Sequence, residues 1–340
     1  MNIFQTSLAL VATNIGGAIL ASPYALYRLG LINGVILLLT LATLAHISNM
    51  MYLAIKDLTP RKYESIYEIS YLLVGRRSIF IICTVMFVTN LCAMIIYYQI
   101  IGDTISRLMA QVFVDNIFDK SKADIRYDLH QMNAIIQIIT HRTTAILFVG
   151  ALSLIFIFKK HLEELKSVSY VFLATVFLFI SLLLVELVRN GGQNFETYEQ
   201  ITTLKADYQL LTSVSIFIFA YSFQFMVFPA YVELENRSNA RFSWVSINCI
   251  VIYTLAIIAT GIISVLLFGK SLRPDLLDNL ATKRSGVSVF LRTVYCIILL
   301  FHLPYIFFTL KEYALVTYDE LANRSLSTRL EAKLAEFLSK

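Results

Sequence analysis

Residues 14–25 read NIGGAILASPYA and lie inside a segment, residues 1–27, that contains no Asp, Glu, Lys or Arg. About 20 apolar residues are enough for an α-helix to cross the hydrocarbon core of a bilayer, so this segment is long enough to span a membrane. Pro23 removes one backbone hydrogen bond from such a helix, and Gly16 and Gly17 accept backbone conformations that other residues avoid. The stretch therefore predicts a membrane helix that opens near Gly16, with its second half presenting free N–H groups inside the membrane.

The rest of the sequence has the same membrane-like composition. Of the 340 residues, 58% are hydrophobic and 15% are charged, whereas a soluble domain contains about 25% charged residues. A charge at the middle of a bilayer costs at least ~2.5 kcal/mol, and the charges here avoid eight long segments. The composition therefore predicts an all-α polytopic membrane protein that is surrounded by a lipid bilayer. The uncharged segments are residues 1–27, 29–55, 78–102, 143–158, 167–185, 208–232, 242–269 and 293–310.

The uncharged segments predict eight membrane spans within one transmembrane domain, residues 1–317. The remaining residues, 318–340, alternate charged and apolar side chains at helical spacing, which predicts an amphipathic surface helix rather than a ninth span. An apolar tract at 135–139 is expected either to extend the fourth span or to lie at the membrane surface. The predicted helices cover about 4–29, 31–55, 78–109, 143–160, 167–188, 209–233, 242–268 and 286–316.

The composition also excludes several classes of function. The four cysteines all lie in apolar segments, which indicates small buried side chains rather than a disulfide framework. Cysteine and histidine do not occur at zinc-ligand spacing, and the net charge of +5 is spread along the loops rather than gathered in a basic stripe. We therefore expect no metal, no cofactor and no nucleic acid partner. The spans also contain no nucleophile and base at a plausible spacing, so an enzyme is not predicted.

Lys and Arg are slightly more frequent on the side of the membrane that holds both termini. Because positive charges are retained on the side from which a protein inserts, this bias predicts termini on the cytoplasmic or matrix side. The sequence does not indicate which membrane the protein occupies, and the mitochondrial inner membrane is compatible with it.

A second interruption is predicted in the sixth span. Residues 219–229 read FAYSFQFMVFP, in which Tyr221, Ser222 and Gln224 are the polar residues of an otherwise apolar helix that also contains Pro229. Matching interruptions five helices apart are typical of inverted-repeat transporters. N–H groups at a helix end suit a carboxylate, and unwound carbonyls suit an ammonium group, so the pair predicts a site for a zwitterion. The alternative is that the glycines only allow close packing and the prolines only bend the helices.

The residues around both interruptions resemble a known family. Residues 16–25, GGAILASPYA, are similar to the signature GxGILxxPYA of the amino acid/auxin permease family. Residues 229–238, PAYVELENRS, are similar to PxYxELxNRS, the end of helix 6 in the sodium-coupled neutral amino acid transporter branch of that family. The resemblance extends over about residues 3–316.

The resemblance implies a five-plus-five inverted repeat in which helices 1 and 6 are unwound and hold an amino acid between them. It also implies cation-coupled alternating access. The similarity to the sodium-coupled neutral amino acid transporter branch implies small neutral amino acids as substrates. The residues that it assigns to the substrate carboxylate are Asn14, Ile15, Gly16 and Gly17. Those assigned to the ammonium group are the backbone of Phe219, Ala220 and Tyr221 together with Ser222, and those assigned to the side-chain pocket are Tyr221 and Phe223.

The sequence departs from the family pattern in three places. Ala18 stands where the signature has its second glycine, and residues 300–303, LFHL, lack the hydroxyl that would help to hold sodium next to helix 1. His302 in this segment is expected to be neutral and bonded to a carbonyl, the alternative being a proton relay. The eight predicted spans also fall short of ten, so the resemblance implies a fold that is truncated after the eighth span.

These departures leave more than one function open. The first hypothesis is a secondary transporter of small neutral amino acids. The second is a transport-inactive accessory subunit of a larger membrane complex, in which other membrane subunits cover the faces of spans 3, 4 and 8 that the missing helices would contact. A third is an amino acid sensor that binds without transport.

Overall fold

The structure, a computed structural model, describes residues 1–58, 65–113, 134–157, 166–189, 209–281 and 286–338. Within these ranges the chain forms fourteen α-helices and short 3₁₀ turns, and no β-strand. The helices are α1 Ile3–Asn14, α2 Ala18–Leu29, α3 Leu31–Asp57, α4 Ile66–Val74, α5 Arg76–Phe113, α6 Ala134–Thr140, α7 Arg142–Ile157, α8 Lys166–Arg189, α9 Gln209–Ala220, α10 Val227–Val232, α11 Asn239–Phe268, α12 Leu276–Ala281, α13 Gly286–Ala322 and α14 Ser325–Leu338.

The described residues provide six segments that are long and apolar enough to cross a membrane without a sharp bend. These are α3, α5, α8, the α9–α10 unit, α11 and α13. Two further spans are bent pairs: α1 and α2 meet at 69°, and α6 and α7 meet at 60°. With both pairs included the described chain has up to eight spans, which confirms the prediction of an all-α polytopic membrane protein.

The fourth span begins earlier than residue 143. A separate helix, α6, precedes the predicted start and contains the apolar tract 135–139, so this tract joins the bent span. The last residues of the predicted helix, 158–160, lie outside the described residues.

The spans differ in how deeply they are buried. α11 and α13 are mostly enclosed by other helices: α11 packs on α1, α2 and α3, and α13 packs on α5 and α8. By contrast, α3 and α5 expose large apolar side chains, such as Ile36 and Ile81, over much of their length. In a bilayer such side chains contact lipid without the penalty that water would impose. The first half of the first span, α1, contacts both of these buried helices, and the second half, α2, packs on α11 and α9.

A single residue, Gly30, links the first span to the second. It has φ of +78°, a conformation that favours glycine because a side chain would clash with the backbone. The tight reversal places α2 and α3 side by side, and Gly34 leaves room for Leu26, whose Cδ2 is 2.6 Å from the position that a Cβ of residue 34 would occupy. The short link therefore makes spans 1 and 2 antiparallel neighbours.

The C-terminal helix α14 is amphipathic and packs on the membrane domain. Its Leu326 and Leu330 are buried in a cluster with Ile69 of α4, Phe228 of α10 and Tyr313 of α13. Its Arg329 also forms an ion pair at 3.1 Å with Glu68 of α4. α14 thus joins three elements that meet at one end of the bundle.

The predicted boundary between residues 317 and 318 lies inside α13, which continues to Ala322. The helix passes through its acidic residues because Glu320 is fully buried and paired. Its carboxylate accepts from Arg76 Nε at 2.5 Å and from the Ser327 N–H at 3.0 Å. Because the Glu320 carboxylate is paired, its charge does not end the helix. The last helix therefore extends beyond residue 316, where the distribution of charged residues predicts its end.

Replacing Arg76 by Met should lower the free energy of unfolding by about 2–3 kcal/mol, because the buried Glu320 carboxylate loses its guanidinium partner. The matched control is Arg142→Met, which removes a 2.9 Å ion pair with Asp103. Both side chains of that pair are about half exposed, so its loss should cost at most ~1 kcal/mol. Unfolding of each variant in lipid nanodiscs measures the difference. Equal losses in the two variants would contradict this account of Glu320.

Candidate functional site

The first span is interrupted at three residues, 15–17. α1 ends at Asn14 and α2 begins at Ala18. Ile15 has ψ of 84°, far from the helical region, and the Gly16 N–H turns back to the Asn14 carbonyl at 2.9 Å. The interruption therefore lies at the glycine pair that the sequence predicts.

Pro23 does not interrupt the helix that contains it. It lies inside α2, where it cannot donate to the carbonyl of Ile19, four residues earlier. The Ser22 hydroxyl donates to that carbonyl instead, at 3.4 Å. The helix opens at the glycines, and the carbonyl that the proline leaves free finds a partner, as the interior of a membrane requires.

Two tyrosines from other spans form hydrogen bonds with the backbone groups that the break leaves without helical partners. The Gly17 N–H donates to the hydroxyl oxygen of Tyr97 in α5, at 3.2 Å. The hydroxyl of Tyr295 in α13 donates to the Gly16 carbonyl at 2.9 Å. Side chains from spans 3 and 8 therefore take the place of hydrogen bonds that a continuous helix would make with itself.

A histidine holds the end of α1 in the same way. His302 Nδ1 lies 2.6 Å from the Ala12 carbonyl, and because a carbonyl only accepts, Nδ1 carries the proton. The imidazole is buried and packs edge-on against the Tyr97 ring at a centroid distance of 5.0 Å. His302 is thus bonded to a carbonyl, as the sequence predicts.

The close approach of these side chains requires glycine at position 16. A Cβ added there would lie 2.4 Å from the Tyr97 hydroxyl oxygen and 2.6 Å from His302 Nε2. Both distances are shorter than van der Waals contact, so any side chain would push the two rings away. The glycine pair provides space for its polar partners as well as backbone freedom.

The sixth span is interrupted after Ala220, the last residue of α9. Residues 221–223 are not helical, a 3₁₀ turn follows at Gln224–Met226, and α10 then begins. The Gln224 side-chain amide donates to the carbonyl of Tyr221 at 3.0 Å. The break in span 6 therefore lies where the sequence predicts it.

Both interruptions dock on one helix, α11. The Asn14 amide donates to Cys249 Sγ at 3.6 Å, and the hydroxyls of Tyr221 and Thr254 lie 2.6 Å apart. Cys249 and Thr254 are five positions apart, so they are separated by roughly 7.5 Å along the helix axis. They are also rotated by roughly 140° from each other around that axis. α11 therefore contacts both interruptions, through two different parts of its surface.

The structure brings most of the predicted site residues to this region and turns two side chains away. Phe219 is 54% exposed, and the Ser222 hydroxyl faces outward and donates to the Ile218 carbonyl at 2.8 Å. Both side chains therefore point out of the bundle in this structure. The assignment of Ser222 to an ammonium group stays a prediction. The predicted residues that are buried or partly buried near the two openings are Asn14, Ile15, Gly16, Gly17, Ala220, Tyr221 and Phe223.

Sequence reasoning missed the residues that complete the site from spans 3, 7 and 8. Tyrosine gives little signal because the chain contains nineteen of them. Histidine is rarer, with five in the chain, so the sequence singles out His302 together with His46 as histidines inside apolar spans. The missed residues are Tyr97, Cys249, Thr254 and Tyr295.

The sequence matches the family described as "Transmembrane amino acid transporter protein" over residues 1–321. The chain belongs to this amino acid transporter family. It is also 26% identical over 326 residues to a protein of Arabidopsis thaliana, Amino acid transporter AVT6E. The alignment covers 91% of this chain and 62% of the Arabidopsis protein, so the chain spans about three fifths of the length of that relative. The match confirms the permease resemblance inferred from the two motifs.

A cavity of about 580 Å³ lies beside the second interruption. It opens between α4, α10 and α13, and its walls include Tyr67, Phe228 and Glu312. Phe225, in the 3₁₀ turn of the span 6 break, also lines it, so the cavity borders that break. Among the described residues, no three His, Cys, Asp or Glu side chains come together as a metal site would require.

Replacing Gly16 by Ala should destabilise the protein by about 1–3 kcal/mol, because Tyr97 and His302 must both move to admit a methyl group. The control is Gly150→Ala in α7, where an added Cβ meets no atom within 4 Å. That variant should be neutral or slightly stabilising, since alanine favours a helix over glycine by roughly 1 kcal/mol. Thermal unfolding in nanodiscs compares the two. A Gly16→Ala variant as stable as the control would show that the opening is looser than described.

Proposed function

We propose that this chain is a secondary transporter of small neutral amino acids that works by alternating access around the two interrupted spans. The observation that supports this most directly is the docking of both interruptions on α11, through Asn14 and Tyr221. Membership of an amino acid transporter family adds to it. A transporter needs a site near the middle of the membrane that both sides can reach in turn, and paired helix breaks provide such a site.

The chemistry of the openings favours a zwitterion without a charged side chain. The α2 N-terminus and the Gly17 N–H suit a carboxylate, which would displace the Tyr97 hydroxyl from that N–H. The unwound carbonyls of span 6 suit the ammonium group, with Gln224 able to release the Tyr221 carbonyl. The side chains that contact the openings are neutral hydroxyls, an amide, a thiol and an imidazole. A neutral substrate leaves no buried charge unpaired.

The contact between spans 1 and 8 argues against sodium at that junction. A hard cation requires several oxygen ligands, but the Ala12 carbonyl is already bonded to His302 Nδ1. The proton on that nitrogen would also repel a cation. We therefore propose that transport does not depend on sodium bound between these spans.

We also propose that both termini face the cytoplasm or the matrix, on the basis of the excess of Lys and Arg on that side. The exposed apolar side chains of α5, which include Ile81 and Val85, favour a second candidate function. Such a face fits lipid, and it also fits another membrane subunit, as a transport-inactive accessory role would need. Purification in mild detergent distinguishes these roles, since an accessory subunit should co-purify with one fixed partner.

Uptake of labelled alanine into proteoliposomes tests the transport proposal. The intact chain should show saturable uptake, and Tyr295→Phe should lower it about three- to tenfold because the Gly16 carbonyl loses a buried hydrogen bond. The matched control is Tyr318→Phe, whose ring is 70% exposed on α13, and it should keep full uptake. Absence of uptake by the unmodified chain under both proton and sodium gradients would overturn transport and favour the accessory role or the sensor.

Replacing sodium by choline on both sides of the vesicle should leave alanine uptake unchanged, because His302 occupies the carbonyl that sodium would need. Uptake is measured at fixed pH and fixed membrane potential, so that only the cation differs. A strict requirement for sodium would contradict this part of the proposal and leave the location of the substrate site untouched.

A further inference from the structure

The hydroxyl of Tyr253 is a buried polar group without a visible role. Tyr253 lies in α11, its side chain is fully buried, and its hydroxyl forms no hydrogen bond within the described part of the chain. Burying a hydroxyl without a partner is costly, and nearly all such groups in proteins are paired. An isolated hydroxyl at this depth therefore needs an explanation.

The surroundings of this hydroxyl are the candidate site. Tyr253 is next to Thr254, which holds Tyr221, and one turn from Cys249, which holds Asn14. Its ring packs edge-on against the Tyr221 ring at a centroid distance of 5.3 Å. At 3.6 residues per turn, Tyr253 lies between Cys249 and Thr254 around the helix, and these two residues hold the two interruptions. It is therefore on the α11 wall between the two openings.

Other unpaired hydroxyls on the same helix have a simpler explanation. Thr260 and Ser264 are also buried without a partner, two to three turns further along α11. A Thr or Ser hydroxyl can rotate to bond the carbonyl of the preceding turn in its own helix. A phenol cannot, because its ring carries the hydroxyl away from the backbone. Within the described part of the chain the Tyr253 hydroxyl has no protein partner, so a group from outside the protein is needed to satisfy it.

We propose that the Tyr253 hydroxyl forms a hydrogen bond with the side chain of the bound amino acid, so that the site selects neutral amino acids whose side chain carries a hydroxyl or an amide. This inference rests on the proposed function and adds a specificity-determining residue to it. The α-carboxylate and the ammonium group already have partners at the two helix breaks. A side chain that extends from between them towards α11 reaches Tyr253 beside the Tyr221 ring.

Threonine and valine are the ligands that test this inference, because they have nearly the same shape and differ by a hydroxyl in place of a methyl group. In proteoliposomes the unmodified chain should take up threonine about three- to tenfold better than valine, the ratio expected of one buried hydrogen bond. Tyr253→Phe should reduce the ratio to near one, mainly through a loss of threonine uptake. Tyr318→Phe, the exposed control, should keep the original ratio.

Thermal unfolding without ligand provides a second readout. If the hydroxyl had a structural partner, Tyr253→Phe would lower the melting temperature of the empty protein. The inference predicts instead that the empty variant is at least as stable as the unmodified chain, because an unsatisfied hydroxyl has been removed. Threonine should raise the melting temperature of the unmodified chain and have a smaller effect on Tyr253→Phe.

The possible failures are distinguishable. An unchanged preference for threonine over valine in Tyr253→Phe would overturn this inference while leaving the transport proposal intact. Absence of uptake by the unmodified chain would overturn transport, and the threonine-induced shift in melting temperature would then decide the inference. A protein whose melting temperature does not respond to any amino acid would overturn both.

Discussion

The structure depends on a requirement of the membrane interior: every backbone N–H and C=O that leaves a helix must find another partner, because water is absent. The first span breaks at Gly16 and Gly17, and the break persists because Tyr97, Tyr295 and His302 supply the missing hydrogen bonds. Those three side chains come from spans 3 and 8, which therefore pack on the opened segment. The glycines make this possible, since any Cβ at position 16 would occupy the space of the phenol and the imidazole. The hydrogen bonds that keep the first helix open are thus also contacts that hold spans 3 and 8 against it.

α11 connects this opening to the one in the sixth span. It is among the most buried helices of the described chain, and it contacts both halves of span 1. Through Cys249 and Thr254 it forms side-chain hydrogen bonds with Asn14 and Tyr221, one residue from each interruption. A site of this kind is formed by rigid elements, whereas the groups that would bind a ligand are unwound backbone. That division suits a transporter, because the binding groups can change partners while the frame stays in place.

One end of the bundle is tied together by a separate set of contacts. The buried pair of Arg76 and Glu320 joins α5 to α13, and α14 packs against α4 and Phe228 of α10. α10 is the second half of the interrupted sixth span, and its Phe228 lies in the same buried cluster as Leu326 and Leu330 of α14. The 580 Å³ cavity lies beside the same half-helix.

The sequence alone predicted the all-α membrane fold and the approximate positions of its spans, because the cost of a buried charge keeps most charges out of the spans. It also located both interruptions, since a glycine pair and clustered polar residues weaken a helix through local chemistry, whereas Pro23 lies inside a continuous helix. It could not identify the residues that complete the site, because the partners of Gly16, Gly17 and Ala12 are 80 to 290 positions away in the chain. It also placed the Ser222 hydroxyl at the site, although the hydroxyl faces outward. Which face of a short helix turns inward is decided by packing against other helices, and only the tertiary structure contains that information.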